Sequence, residues 1–513
     1  MNSDSHQFQA RSPFDGEPFG PMYKEASADE VTQACALAAK AFEEYSLTDT
    51  QTRSRFLQAI ADEIEALGDQ LIDICHAETA LPHARLTGER ARTTNQLRMF
   101  AEHINSGRHL NVIIDHADAE RQPLPKPDLR QMRIPLGPVA VFGASNFPLA
   151  FSTAGGDTAA ALAAGCSVVY KGHPAHPTTT AMVAEAIQRA VTSCELPEGT
   201  FLCLQGRQPE LSERLVDAAP IAAVGFTGST KVGRLLFNRA QNRPSPIPFF
   251  GELGSVNPMF ILPQQLEQDV EGFAQQYVAS LTLGVGQFCT NPGLLIGYQN
   301  EQWQALVDAI REQVRATESG TLLTPDIAHR FQQQCLERQQ LPTMELIAQG
   351  KELAEAPINV STHIWATKAA ELNDELPWQE EVFGPAGLLI ACDSPDEMLA
   401  VARQLEGQLT TTLHGTDNEL QAHRSLVQVL SHKAGRVIFN GYPTGVEVCP
   451  AMHHGGPYPA GTQAASTSVG SEAILRYSRP VCFQNAPQSL LDDALQDTSA
   501  LSVPRVIDGS FVV

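Results

Sequence analysis

The stretch "PVAVFGASNFPLAFSTAGGDTAAALAAGCSVVYKG", residues 138–172, contains one complete unit of a parallel α/β sheet. Its first seven residues form a short apolar run, which is typical of a strand buried on both faces. The small residues of "FSTAGGDTAAALAAG" predict a closely packed helix, and "SVVYKG" predicts a second strand. Because a strand, a helix and a strand follow one another, we expect a right-handed crossover between parallel neighbours.

The same alternation continues along the chain in two series. The first series runs on through "TTTAMVAEAIQRAV", "TFLCLQG", "PELSERLVDAA", "IAAVGFTG" and "STKVGRLLFNRA". A second series starts after residue 255 with "NPMFILP" and "EQDVEGFAQQYVASLTLG", and it resumes with "AGLLIACDS", "PDEMLAVARQL", "LTTTLHGT" and "AGRVIFNG". The pattern predicts an α/β protein with one doubly wound, Rossmann-like domain and a second α/β domain.

Two other regions have different patterns. Residues 28–106 are mostly helical in their periodicity. Residues 108–135 are extended around the proline-rich turn "RQPLPKPDL", which predicts a small protruding β arm.

The composition excludes several classes of partner. The 513 residues include 58 acidic and 35 basic side chains, so the formal net charge is -23. We therefore expect neither a nucleic acid nor a membrane as partner. The start "MNSDSHQFQA" has no apolar signal segment, and the ten cysteines form no CxxC pair, so no metal site is predicted. These features favour a cytoplasmic protein with reduced cysteines.

Cys289 is the first candidate for chemistry. It stands in "GQFCTNPG", residues 286–293, between small and polar residues. A thiol becomes a nucleophile only when a base or local dipoles favour its thiolate. Taken alone, Cys289 is either such a nucleophile or a buried filler.

Two further candidates lie at predicted strand ends. Glu252 in "FFGELGSVNP" stands among aromatic and small residues, so desolvation would raise its pKa and suit it to general-base work. The alternative is a carboxylate that caps backbone amides. Asn146 in "FGASNFPLAF" follows a strand and can donate to an oxyanion, or it is an N-cap.

Two stretches suggest a nucleotide site. Lys171 ends the strand of "VVYKGHP" and can bond a ribose hydroxyl or a phosphate, although a lone lysine is usually a solvated charge. Gly228 and Ser229 form a strand-to-helix turn in "GFTGSTKVG", which suits a phosphate. The turn is not a GxGxxG fingerprint.

Together with "EEVFGP" at residues 380–385, these five stretches resemble the aldehyde dehydrogenase superfamily in order and spacing, from about residue 10 to 485. The resemblance implies that Cys289 attacks an aldehyde to form a thiohemiacetal and then a thioester. It implies that Asn146 and the Cys289 N–H hold the oxyanion. Glu252 would activate the water that releases the acid, as in the hydrolytic rather than the coenzyme A-dependent members.

The resemblance also implies a nicotinamide cofactor. Lys171 would hold the adenosine ribose, Gly228 and Ser229 the pyrophosphate, and Glu381 and Phe383 the nicotinamide ribose and ring. Many NAD-preferring members carry a glutamate where this chain has Pro174. We therefore expect NADP or NAD, with NADP slightly favoured and with His173 or His176 near its 2′-phosphate.

The domain organisation follows from the same resemblance. It implies an NAD(P)-binding domain over residues 1–107 and 136–253 and a catalytic domain over residues 254–455. Residues 108–135 and 470–490 would be oligomerisation strands, so a homodimer or homotetramer is expected.

The segments "KGHPAHP" and "PTGVEVCPAMHHGGPYPA" resemble the branch of 2-oxoglutarate semialdehyde (2,5-dioxopentanoate) dehydrogenases. The resemblance implies oxidation of that aldehyde to 2-oxoglutarate. Phe147, Phe288 and His454 are expected to wall the substrate pocket, with His454 able to touch the substrate or the catalytic water. The residue that binds the substrate carboxylate does not stand out in the sequence.

Three alternatives remain open. The first is an NADP-dependent dehydrogenase of medium- or long-chain fatty aldehydes. The second is a catalytically silent relative that only binds. The third is a cysteine hydrolase without a redox cofactor, for which no Cys–His–Asn arrangement is evident.

Overall fold

The computed structural model describes residues 7–352, 358–373, 376–499 and 501–512. The helices are α1 (Ala28–Tyr45), α2 (Thr50–Ala66), α3 (Gly68–Thr79), α4 (His83–Asn105), α5 (Gly156–Ala164), α6 (Pro177–Ser193), α7 (Pro209–Asp217), α8 (Thr230–Gln241), α9 (Pro263–Gln268), α10 (Val270–Thr282), α11 (Glu301–Ala316), α12 (Pro325–Gln339), α13 (Pro395–Gln404), α14 (Asp417–Ala422) and α15 (Arg424–Lys433). The strands are β1 (Gln7–Arg11), β2 (Pro18–Lys24), β3 (Val112–Asp115), β4 (Leu129–Pro135), β5 (Val139–Phe142), β6 (Val168–Lys171), β7 (Phe201–Leu204), β8 (Ala223–Thr227), β9 (Phe249–Glu252), β10 (Met259–Ile261), β11 (Leu294–Tyr298), β12 (Gly320–Thr321), β13 (Glu345–Gln349), β14 (Asn359–Val360), β15 (His363–Lys368), β16 (Ala386–Cys392), β17 (Gln408–His414), β18 (Ala434–Phe439), β19 (Ser478–Gln484), β20 (Arg505–Ile507) and β21 (Ser510–Val512).

The first large sheet has the strand order β7-β6-β5-β8-β9, and all its neighbours are parallel. Both of its faces are covered. Val139 and Val141 pack into a core formed with α2, α4, α5 and α6. Ala140 and Phe142 face the other way, into a core formed with α1, α7 and α8. This arrangement confirms the predicted doubly wound sheet, and it explains why its strands read as unbroken apolar runs.

The second large sheet has the order β13-β15-β16-β11-β10-β17-β18. Its strands are parallel except for the edge strand β13, which runs antiparallel to β15. Helices α12, α13 and α15 pack on one face and α10 and α11 on the other. The predicted second α/β unit is therefore confirmed.

A third sheet, with the order β19-β4-β3-β20-β21, contains the predicted arm. Strands β3 and β4 are antiparallel, and β19 pairs with β4 over its whole length. The C-terminal hairpin of β20 and β21 extends this sheet and was not predicted, nor was the hairpin of β1 and β2. Among the residues the structure describes, no helix is both long and apolar enough to cross a bilayer.

Candidate active site

A groove of about 1520 Å³ follows the carboxyl-terminal edge of the first sheet. Asn146 comes just after β5, Lys171 ends β6, Ser229 follows β8, and Glu252 ends β9. Because the carboxyl ends of parallel strands meet at one edge, these distant residues line the same groove. The other wall of the groove carries Cys289, which follows α10, and Glu381 and Phe383, which precede β16. All three come from the second α/β unit.

The loop that carries Cys289 has a fixed backbone. Residues 284–286 all adopt left-handed conformations, including the non-glycine Val285 at φ 57°. A Cβ atom on Gly286 would lie 2.3 Å from the backbone of Gly384, so only glycine fits here. Asn257 Nδ2 donates to the Cys289 carbonyl at 2.9 Å. The thiol loop is thus tied to the "EEVFGP" segment and held at the end of the groove.

Cys289, His454 and Glu252 form a contiguous cluster. The Cys289 Sγ lies 3.4 Å from His454 Nε2. The same Nε2 lies 2.9 Å from Glu252 Oε1. Ser468 Oγ donates to the other carboxylate oxygen of Glu252 at 2.5 Å. One nitrogen, one sulfur and one oxygen atom of these side chains lie within 4.8 Å of one another. His454 therefore links the candidate nucleophile to the candidate base.

The charges in this cluster are strongly coupled. Burial acts to raise the pKa of Glu252, but the His454 charge and the hydrogen bonds from His454 and Ser468 outweigh it and lower the pKa to about 2. The prediction of a raised Glu252 pKa is therefore wrong, since it rested on desolvation alone. Burial and the Glu252 charge raise the pKa of the Cys289 thiol well above its ordinary value. An ionised carboxylate and a protonated thiol thus lie beside the same imidazole nitrogen.

Asn146 lies beside the thiol loop. Its Nδ2 donates to the backbone carbonyl of Gln287 at 2.9 Å. Its own backbone carbonyl accepts from Arg85 Nη2 at 2.6 Å. These two bonds fix the residue at the end of the groove that also holds Cys289. One of the two Nδ2 hydrogens remains for an acceptor at the thiol.

The three residues expected to wall the substrate pocket lie outside the lining of the groove. Phe147 and Phe288 pack edge to face with ring centroids 5.3 Å apart. His454 is fully buried, and its Nδ1 has no hydrogen-bond partner within the described residues. His454 does more than wall the pocket, because its ring directly contacts both the Cys289 thiol and the Glu252 carboxylate.

The geometry around His454 also differs from that of a hydrolase triad. In such a triad the carboxylate binds Nδ1 of the histidine and the nucleophile faces Nε2. Here Cys289 and Glu252 share Nε2. The cluster therefore lacks the relay of a cysteine hydrolase.

The far end of the groove is suited to a nucleotide. Burial lowers the pKa of Lys171 to about 8. Ser229 caps α8, with Oγ accepting from Val232 N, so the helix N-terminus opens on the groove beside Gly228. At the other wall, burial raises the pKa of Glu381 to about 8.

The basic groups near Pro174 differ from those expected. Burial lowers the pKa of His173 well below its ordinary value and that of His176 to about 4. Neither imidazole therefore carries a positive charge that would attract a 2′-phosphate. Arg207, which is exposed and lines the same end of the groove, was missed because it stands in no motif.

Arginines of helix α4 are the other group that sequence reasoning missed. The guanidinium of Arg85 lies 4.9 Å from the ring centroids of both Phe147 and Phe288. Arg92 lies 5.3 Å from the Phe151 centroid. Their spacing of seven residues on one helix was the available signal, since it puts both side chains on the same face.

Comparison with known proteins agrees with this geometry. Residues 1–480 match the model of the aldehyde dehydrogenase family. The chain belongs to this family. An alpha-ketoglutaric semialdehyde dehydrogenase 2 of Azospirillum brasilense is 45% identical over 502 residues, covering 98% of this chain and 95% of that protein. An alpha-ketoglutaric semialdehyde dehydrogenase of Acinetobacter baylyi is also 45% identical, covering 96% of this chain and 94% of the relative.

Solved structures share the fold. HpcC from Thermus thermophilus superimposes with a TM-score of 0.80 at 23% identity, covering 94% of this chain and 91% of its own. PnpE from Pseudomonas sp. WBC-3 gives a TM-score of 0.78 at 23% identity, covering 94% and 95% of the two chains. PnpE has also been solved in complex with nicotinamide adenine dinucleotide. The α/β architecture of this family is therefore the fold of this chain.

Proposed function

We propose that this aldehyde dehydrogenase oxidises 2-oxoglutarate semialdehyde (2,5-dioxopentanoate) to 2-oxoglutarate with NAD(P). The observation that carries the proposal is the contact of Cys289 and Glu252 through His454 at the end of a nucleotide-sized groove. The 45% identity to two alpha-ketoglutaric semialdehyde dehydrogenases over nearly the whole chain supports this choice of aldehyde.

The residues of the groove fit a nicotinamide dinucleotide. Lys171 would bond the adenosine ribose, and the α8 N-terminus at Gly228 and Ser229 would face the pyrophosphate. Glu381 and Phe383 would hold the nicotinamide end near Cys289. A nicotinamide held there would supply the hydride acceptor for the carbon to which the Cys289 sulfur has added.

NADP is the slightly favoured form of the cofactor. Pro174 puts no carboxylate at the position where one would repel a 2′-phosphate. Arg207 lines this end of the groove and supplies the positive charge that His173 and His176 lack. Glu25 accepts from the Arg207 backbone N–H at 3.0 Å, and its negative charge would repel a 2′-phosphate. NAD therefore stays a usable alternative.

The first chemical step needs a thiolate. When His454 is neutral and protonated only at Nδ1, its Nε2 lone pair can take the thiol proton across 3.4 Å, and this transfer restores the charged imidazole that lowers the pKa of Glu252. Glu252 then stabilises the imidazolium at 2.9 Å. The thiolate attacks the aldehyde carbon, and Asn146 Nδ2 with the Cys289 N–H holds the oxyanion.

The second step releases the acid. Loss of the hydride leaves a thioester on Cys289, and a water must attack it. Glu252 accepts the proton of that water, the acid forms as the Cys289 thiolate leaves, and the His454 imidazolium returns its proton to the thiolate. Ser468, which donates to Glu252 Oε2, holds the carboxylate in position for this step.

The NAD(P)-binding domain would comprise residues 1–107 and 136–253, and the catalytic domain residues 254–455. Residues 108–135 and 470–490 would join subunits in a homodimer or homotetramer, which light scattering on the purified protein measures. The ten cysteines all lie in the described part of the chain and form no disulfide there, and reduced cysteines suit a cytoplasmic enzyme.

The test follows the absorbance of reduced nicotinamide with 2,5-dioxopentanoate, succinic semialdehyde and hexanal, each with NAD and NADP. We expect the highest kcat/KM for 2,5-dioxopentanoate, and NADP to be used at least as well as NAD. A clear preference for hexanal would instead assign the protein to the fatty-aldehyde dehydrogenases.

The matched control is Cys289→Ala. This variant should lose aldehyde oxidation by at least about 1000-fold, because no thioester can form, and should still bind NADP. Retained turnover in Cys289→Ala would contradict the mechanism. Cofactor binding without turnover in the wild-type protein would favour the catalytically silent relative.

A further inference from the structure

One face of helix α4 supports the loop of Asn146. Glu89 Oε1 accepts from the backbone N–H groups of Leu149 and Ala150 at 2.9 and 3.0 Å. Arg85, four residues earlier, donates to the Asn146 carbonyl. Both residues therefore have clear structural partners in the loop next to the thiol.

Arg92, the next residue on this face, has no such partner. Its guanidinium carbon lies 5.9 and 5.3 Å from the ring centroids of Phe147 and Phe151. Its Nε and Nη2 are buried, and neither has a hydrogen-bond partner within the described residues. Arg92 as a whole is half-buried, and buried donors of a cation that form no hydrogen bond are costly unless an anion accepts from them.

The position of Arg92 relative to the thiol suggests which anion this is. The Phe151 ring lies 6.2 Å from the ring of His454, which contacts Cys289. Arg92 is close enough to Cys289 and Glu252 for their charges to act on its pKa, while burial acts to lower that pKa. Arg92 does not line the groove that holds Cys289.

Another arginine near the thiol has backbone partners. Arg436 also lies within the electrostatic reach of Cys289. However, its Nη1 and Nη2 donate to the carbonyls of Gly445 and Pro443 at 2.9 and 2.7 Å. Glu89 and Glu447 act on Arg92 through their charges, and neither forms a hydrogen bond with it within the described chain.

We propose that Arg92 binds the carboxylate of the 2-oxo acid end of the substrate while the aldehyde end lies at Cys289. This inference rests on the proposed function and names its specificity residue. A guanidinium presents a planar pair of donors that matches a carboxylate, and the Phe147 and Phe151 rings hold that plane. An aldehyde with a neutral tail would leave the charge of Arg92 unpaired.

The experiment compares Arg92→Met with Arg98→Gln. Methionine keeps an unbranched apolar chain on the phenylalanine rings and removes the charge. Arg98 lies on the same helix, pairs with Asp62 and Glu65 at the surface, and serves as the control. For each protein, kcat/KM is measured with 2,5-dioxopentanoate and with hexanal.

We expect Arg92→Met to lose about 100-fold in kcat/KM for 2,5-dioxopentanoate, mainly through KM, and to stay within about threefold of wild type for hexanal. Arg98→Gln should match wild type with both aldehydes. Equal losses with both aldehydes would overturn the proposal, because Arg92 would then act on the thiol. No loss with either would overturn it as well.

A second measurement does not require 2,5-dioxopentanoate to be the preferred substrate. The product 2-oxoglutarate should inhibit hexanal oxidation by the wild type, and its Ki should rise about tenfold or more in Arg92→Met and less in Arg92→Lys. An unchanged Ki in both variants would overturn the role of Arg92. A wild type that prefers hexanal would contradict the proposed function instead.

Discussion

His454 meets both of its acidic neighbours through a single ring nitrogen. Cys289 Sγ and Glu252 Oε1 lie 3.4 and 2.9 Å from Nε2, and Nδ1 is buried without a hydrogen-bond partner within the described residues. One proton at Nε2 therefore serves either the thiol or the carboxylate, but not both. The imidazole couples the protonation of the two groups that the reaction uses in turn.

Replacing His454 by Gln should shift the pH dependence of kcat. The variant keeps an amide donor but loses the positive charge that lowers the pKa of Glu252 to about 2. Because burial remains, that pKa should rise, and the acidic limb of the kcat profile should move to higher pH. We expect kcat/KM to fall about 100-fold at neutral pH, as for a lost proton-transfer group.

Ser468→Ala is the control for this variant. It removes only the hydrogen bond to Glu252 Oε2, so it should shift the acidic limb in the same direction by a smaller amount. An acidic limb in His454→Gln that coincides with that of the wild type would show that His454 does not govern Glu252.

Cys289, Glu252 and Asn146 could be predicted because each stands in a short stretch with distinctive neighbours. The structure brings all three to one groove. The contact made by His454 and the placement of Arg92 could not be predicted. Both residues come from segments far from these stretches, and their distances to the thiol depend on how helix α4 and the loop before β19 pack.

Helix α6 begins next to the nucleotide end of the groove, and Glu78 anchors it there. The Glu78 carboxylate is fully buried and accepts from the N–H groups of Thr178 and Thr179 at 2.7 and 2.9 Å. The Thr179 hydroxyl donates to it as well, at 2.7 Å. A carboxylate at a helix N-terminus accepts from backbone N–H groups that have no partner within the helix. Its negative charge also interacts favourably with the helix dipole.

Glu78→Ala should destabilise the protein by about 2–3 kcal/mol, because it leaves these donors buried without an acceptor. Thermal unfolding should show a lower midpoint, measured by differential scanning fluorimetry. Glu185→Ala, an exposed change on the same helix, is the control and should leave the midpoint unchanged. Equal midpoints for the two variants would mean that the Glu78 contacts contribute nothing.

The parallel strands were predictable because they are buried on both faces. "VAVF" and "VVYK" contribute β5 and β6 with every residue buried. Strands β2 and β21 are mostly exposed and lack the pattern of a strand buried on both faces, so they were missed. Their pairing depends on β1 and β20 rather than on their own composition.

The groove is shared between the two large sheets, and this has a consequence for the stability of the entire chain. Lys171 ends β6 and Ser229 follows β8 of the first sheet, whereas Glu381 and Phe383 lie in the segment before β16 of the second. A ligand that contacts both walls must hold both α/β units in one arrangement.

NADP should therefore stabilise the protein against heat. At a concentration of 100 times its Kd, a ligand that binds only the folded state adds about 2.7 kcal/mol. We expect a higher unfolding midpoint with NADP in both wild type and Cys289→Ala, and a much smaller rise in Lys171→Met. An equal rise in Lys171→Met would contradict the assignment of Lys171 to the adenosine ribose.

The cluster of Glu252, Cys289 and His454 offers one oxygen, one sulfur and one nitrogen within 4.8 Å of one another. This donor set is the kind that Zn²⁺ binds, at about 2.0–2.3 Å from each atom. A zinc ion in place of the shared proton would tie up the thiol, so Zn²⁺ should inhibit the enzyme and EDTA should restore it. His454→Gln, which lacks the nitrogen ligand, should need a higher zinc concentration for half-inhibition. The arrangement that positions a base next to the thiol thus also makes the enzyme sensitive to inhibition by thiol-binding metals.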